Sequence, residues 1–198
     1  MRSTLATPTA LGLAVSFALA FPTTPRAIEQ TPSATDAGCN SFAWTVENER
    51  RWFAETDLRR VASGMRLSRI DRAVALQLLP TRSVAFFLPP AKTPRPDSFS
   101  GQVAFFGVPR PGLYQVSISG DASIDVFENG TRLAAVAETE ARDCRSVRRS
   151  GRFALAPGDL VLVQISGALE PSIKVAFEEV AEGTGSAAQI LMASRFAP

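Results

Sequence analysis

The chain has 198 residues, 45% hydrophobic and 20% charged, and its 21 basic and 19 acidic residues leave a formal charge of +2. That is the size and balance of one globular domain. It offers neither the clustered cations that phosphate binding needs nor a polybasic membrane anchor, which excludes nucleic acid as a partner. The chain contains no histidine, which excludes His-dependent hydrolases, HExxH metalloproteases and facial-triad metal oxygenases.

Arg2, an apolar stretch through Leu11, Leu13, Val15, Phe17 and Leu19, and Ala18-Leu19-Ala20 ahead of Phe21 have the pattern of a secretory signal peptide over residues 1–20. The apolar run is shorter than the roughly 18 to 20 residues that span a bilayer, and no second long run follows. Cleavage near Ala20–Phe21 is therefore expected to release a periplasmic or secreted protein with no membrane span in the mature chain. Residues 21–38, with Pro22, Pro25 and Pro32 among Thr, Ser and Ala, read as a flexible leader.

Cys39 and Cys144 are the only cysteines, and export to an oxidising compartment predicts a disulfide between them. On the chain-entropy model, closing so long a loop stabilises the fold by about 4 to 5 kcal/mol. Two other readings compete. Ala37-Gly38-Cys39 is like the end of a lipoprotein box, but Asp36 stands where an aliphatic residue is expected. A catalytic thiol would need a base, and Arg145 beside Cys144 can lower a thiol pKa but cannot take its proton.

From Phe42 to about Ser63 the spacing predicts a helix capped by Thr45, with Val46, Phe53, Ala54, Leu58 and Val61 on one face and Glu47, Glu49, Arg51, Glu55 and Arg59 on the other. Trp44 and Trp52 read as the groups that dock this segment, and a stacking platform for sugars is the alternative. After Gly64 the chain reads as strands between turn signals: Val74–Leu79, Ser83–Leu88, Gln102–Val108, Leu113–Ser119, Ser123–Glu128, Thr131–Val136, Arg152–Ala156, Leu160–Ser166 and Ser172–Phe177. Pro89-Pro90 through Pro96 predicts a stiff exposed loop, and Asn129-Gly130 a tight hairpin. About nine strands and one helix make residues 39–181 an all-β sandwich domain with an N-terminal docking helix, followed by a loose tail over 182–198.

The passage Gly112 to Gly120, then Ile124 to Gly130, then Phe153 to Gly158 and Leu160 to Gly167, resembles the bacterial pre-peptidase C-terminal domain over roughly residues 99 to 180. With Cys39, Phe42 and Trp44 ahead of it, the chain also resembles a group of exported proteobacterial proteins of this layout. The resemblance implies a secreted, jelly-roll-like antiparallel β-sandwich and implies no chemistry.

Three clusters are candidate sites. Asp121, Asp125 and Glu128, beside the Asn129 amide, offer oxygen ligands for Ca²⁺ but lack the alternating carboxylates and glycine of a dedicated loop. Asp125 also lies opposite Ile124 and Val126, where a solvated residue belongs. Arg142, Arg145, Arg148, Arg149 and Arg152 surround Cys144, preceded by Glu138, Glu140 and Asp143; Arg145, Arg148 and Arg149 are candidates for an anion or polysaccharide contact, and a salt-bridged connection is the plainer alternative. Trp44, Trp52, Phe86, Phe87, Phe105 and Phe106 are candidates for an exposed aromatic patch. No nucleotide loop, serine-lysine motif or nucleophile elbow is present, and no cofactor or resident metal is expected. The expectation is a non-catalytic module that binds an envelope component or glycan. The alternatives are an assembly partner in an envelope complex and a two-carboxylate hydrolase, which would show paired acids in a cleft with one acid's pKa raised.

Overall fold

The computed structural model describes residues 34–68, 72–158 and 160–180, all within one compact unit. The segments read as signal peptide and tail, and most of that read as leader, lie outside the described residues. The last part of the segment read as leader belongs to a 3-10 helix, Ala34–Ser41, which is followed by helix α1 (Glu47–Phe53).

Among the described residues twelve strands follow: β1 (Arg60–Ala62), β2 (Arg66–Leu67), β3 (Ala73–Gln77), β4 (Leu79–Pro80), β5 (Phe99–Phe106), β6 (Gly112–Ile118), β7 (Ser123–Glu128), β8 (Thr131–Arg132), β9 (Ala137–Glu140), β10 (Arg149–Leu155), β11 (Leu160–Ala168) and β12 (Ser172–Glu179). The first sheet has the order β1-β3-β12-β6-β10-β9 and the second β2-β5-β11-β7-β8, with β4 also paired to β5. Taking β3, β5, β6, β7, β8, β10, β11 and β12 as strands one to eight, the sheets read one-eight-three-six and two-seven-four-five. That is the jelly-roll order. The neighbours within these two four-strand sets pair antiparallel, whereas the added strands β1 and β2 pair parallel to β3 and β5.

Alternation builds the core. Leu76, Val116, Ile118, Phe153, Leu155 and Val175 from the first sheet meet Val103, Phe105, Val126, Val161, Val163 and Ile165 from the second, and all are at most 2% exposed. The Asn129-Gly130 turn joins β7 to β8 with both residues at positive φ, 49° and 82°, as a two-residue hairpin of the primed type requires.

Two expected elements differ. The helix expected to run to Ser63 stops at Phe53, because the chain beyond it enters β1, where Arg59 and Ser63 hydrogen-bond Ala75 and Gln77 along β3. Of its expected apolar face, Val46, Phe53 and Val61 are buried, Leu58 is half-buried and Ala54 is exposed. The expected strand Ser83–Leu88 is absent: a short 3-10 helix, Thr81–Ser83, leads into irregular chain. The free edge of β5 is already taken by β2 and β4, so no ladder is left for it.

Cys39 and Cys144 form a disulfide across a separation of 105 residues, tying the N-terminal segment to the β9–β10 connection. Replacing both cysteines by serine is expected to lower stability by about 4 to 5 kcal/mol, read from guanidinium unfolding of the oxidised protein beside the double variant.

Candidate functional site

Strand register arranges the outward side chains in rows across each sheet. On the second sheet, Gln102, Gln164 and Asp125 stand opposite one another on β5, β11 and β7. This row holds the proline-rich segment that crosses the sheet: Gln102 Nε2 donates to Ala85 O at 3.4 Å, Gln164 Nε2 to Leu88 O at 3.1 Å, and Ala91 N to Asp125 Oδ2 at 3.3 Å. Arg132 adds a bond to Pro89 O and an ion pair with Asp125 at 3.3 Å. The segment is thus a strap rather than a free loop. Gln164 is fully buried beneath it, and Gln164 Oε1 and Ser166 Oγ are left there without partners.

The next row is Arg66, Ala104, Leu162 and Phe127, and beyond it Phe106 faces Leu160. Here the strap does not cover the sheet. A groove of about 320 Å³ opens over Ala104, Leu160, Leu162 and Phe127, walled by Phe87 and Ala85 of the strap and edged by Arg66 and Gln102. Phe87 meets Phe127 edge-on at 5.4 Å, and Arg132 lies 5.2 Å from the Phe127 ring centroid on the hairpin side. The buried Phe127 is therefore a fixed floor, while Phe87 and Phe106 remain 50% and 60% exposed.

The first sheet's outer face is closed instead. Ala73, Ala176, Ser117 and Ser150 form one row of small side chains and Glu178, Gln115 and Arg152 the next. The small row lets the N-terminal arm approach, and Phe42, Val46, Phe53 and the disulfide form a second apolar cluster with Ala73, Ala141, Val147 and Ala176. Trp44 Nε1 donates to Ser150 Oγ at 3.1 Å and its ring lies 4.2 Å from the Arg152 guanidinium carbon.

The expected site residues scatter over these surfaces. Trp44 and Trp52 pack against the arm's cluster, Phe105 is in the core, and Phe86 is half-buried. Of the aromatic candidates, Phe87 lines the groove and Phe106 stands beside it. Asp125 corrects the reading of a solvated residue: it is 5% exposed, because the strap and Arg132 cover the outer face on which it stands. Glu128 accepts from Ala156 N at 2.6 Å and Asp121 is exposed, so the calcium trio is dispersed. Among the described residues no group of three or more Cys, Asp or Glu is placed to hold a metal ion. Arg148 and Arg149 line a concavity of about 180 Å³ with Arg142, Asp121 and Glu140, where Arg149 pairs with Glu140 at 2.6 Å; Arg145 is exposed and does not line it.

Arg66, Leu160 and Leu162 were not expected at a site. The signal was Leu160-Val161-Leu162-Val163, apolar at every position, since a half-exposed strand alternates and a continuous run marks a strand with two apolar faces. Comparison with protein-family models, with curated proteins and with solved structures finds no match.

Gln164→Ala removes the central tie of the strap. It is expected to cost about 1 to 3 kcal/mol and to raise the rate of limited tryptic cleavage after Lys92, with the core otherwise intact.

Proposed function

We propose that the protein is a non-catalytic binding module of the cell envelope, exported after cleavage near Ala20–Phe21, that takes a glycan in the groove of the second sheet. The observation that carries this reading is the pair of exposed rings, Phe87 and Phe106, beside a preformed floor of Ala104, Leu162 and Phe127. Ring faces stack on the apolar C–H faces of sugars, while a few polar groups at the edge fix orientation. Arg66 supplies such a group, and with one cation and no carboxylate in its lining the groove favours a neutral or acidic sugar over a basic one.

The jelly-roll order supports the reading, since it is the fold that the resemblance to the pre-peptidase C-terminal domain implies. The hydrolase alternative gains nothing from the acids. Glu49 and Glu178 do stand together, with Glu178's pKa raised, but Glu49 is 1% exposed under α1, where no substrate reaches it.

Affinity electrophoresis and calorimetry against purified cell-wall and acidic polysaccharides test the proposal. Phe87→Ala and Phe106→Ala are each expected to weaken binding by about tenfold, roughly 1.4 kcal/mol, and Arg66→Ala to weaken acidic glycans selectively. Binding that is indifferent to all three substitutions, or capture of a protein partner with no glycan bound, would overturn it.

A further inference from the structure

A second polar cluster lies between α1 and the first sheet, apart from the groove. Glu49 Oε1 accepts hydrogen bonds from Gln115 Nε2 and, at 2.8 Å, from Ser117 Oγ, whereas Glu49 Oε2 is buried with no donor. Gln115 Nε2 also reaches Glu178 Oε1 at 3.4 Å, and Asn48 Nδ2 donates to Glu178 Oε2 at 3.0 Å. Gln115 Nε2 thus stands within hydrogen-bond distance of a carboxylate oxygen from each glutamate. Two ionised carboxylates on one amide nitrogen repel each other and can only accept, so a single proton on the pair relieves the repulsion and adds a donor. The buried Glu49 Oε2 is an acceptor left open to such a donor.

The charge balance agrees. Among the described residues, Arg152 from β10 is the cation shown to act on both carboxylates, and Asn48, Gln115 and Ser117, which bond to the pair, are neutral. Two carboxylates against one guanidinium would leave an uncompensated negative charge beneath the helix, which is costly to bury. One shared proton makes the cluster neutral.

We propose that Glu49 and Glu178 are a proton-sharing carboxyl pair that clamps the N-terminal arm onto the sandwich in mild acid and lets it loosen as the proton is lost. Burial first, and the Glu49 charge second, hold the Glu178 carboxyl above the ordinary carboxylate range. A group raised in this way contributes stability that is fully present below its ordinary value and is lost as pH rises through the raised one. Docking therefore tightens toward acid. The disulfide keeps the arm tethered throughout, which makes the change local and reversible.

The chain's only two tryptophans, Trp44 and Trp52, are on this arm and report on it directly. Indole emission and acrylamide quenching of the oxidised protein, followed from about pH 4 to about pH 8 across the carboxyl range, are expected to show one reversible step. Emission shifts to the red and quenching rises on the alkaline side. Glu178→Gln, which keeps the side-chain shape and supplies a permanent donor, is expected to abolish the step and hold the acid-side emission throughout, and Glu49→Gln, which removes the second cause but leaves the burial, to move the step to lower pH. A flat wild-type titration overturns the proposal, as does an unchanged step in either variant. Should neither variant fold, a protonated-carboxyl infrared band that disappears in parallel with the wild-type step upholds it, and a step without that loss overturns it.

Discussion

Strand register is the constraint on which the rest of this protein depends. Side chains alternate between faces, so a slip of one residue in β6 or β11 would turn Gln115, Ser117 or Gln164 into the core and push Val116 or Val163 out. With the register as it stands, each sheet presents a row of polar groups across its outer face, Glu178-Gln115-Arg152 on one and Gln102-Gln164-Asp125 on the other. These rows satisfy the backbone and side chains of whatever lies on them. A jelly roll has one core and two outer faces, and here both are built to receive a cover.

The two covers are held by different means. The N-terminal arm is tied covalently by Cys39 and adds its own apolar cluster, with a buried carboxylate at the contact. The proline-rich strap has no cross-link; hydrogen bonds to its carbonyls and to Ala91 N hold it, with Phe87 packed against Phe127. Its prolines reduce the conformational entropy lost on docking, which is why a segment with few contacts can lie in one place. Because it crosses only part of the sheet, Leu160 and Leu162 stay half-exposed and Phe106 exposed, and the groove is what remains.

The sheet edges are blunted. β1, β2 and β8 have two or three residues each, and edge strand β9 is Ala-Glu-Thr-Glu with exposed glutamates. Short or charged edges resist pairing with another chain, so strand addition is a poor route to a partner. The groove on the outer face of the second sheet, rather than its rim, is where apolar side chains are left open.

Composition and alternation alone determined the all-β class, the two-layer core, the Asn129-Gly130 hairpin and, through the cysteine pair, the disulfide. These are local or counting properties: period two at Tyr114, Val116 and Ile118 has one structural meaning, and two cysteines have one intramolecular pairing. Only the tertiary structure decided which outward residues are exposed. Phe105 and Phe106 are adjacent and chemically identical, yet one fills the core and the other faces solvent, because strand parity relative to the second sheet separates them. Asp125 and Glu49 are polar and buried, because segments distant in sequence fold over them. The end of α1 was settled by β3, which offers residues 60–62 a ladder that local spacing could not reveal.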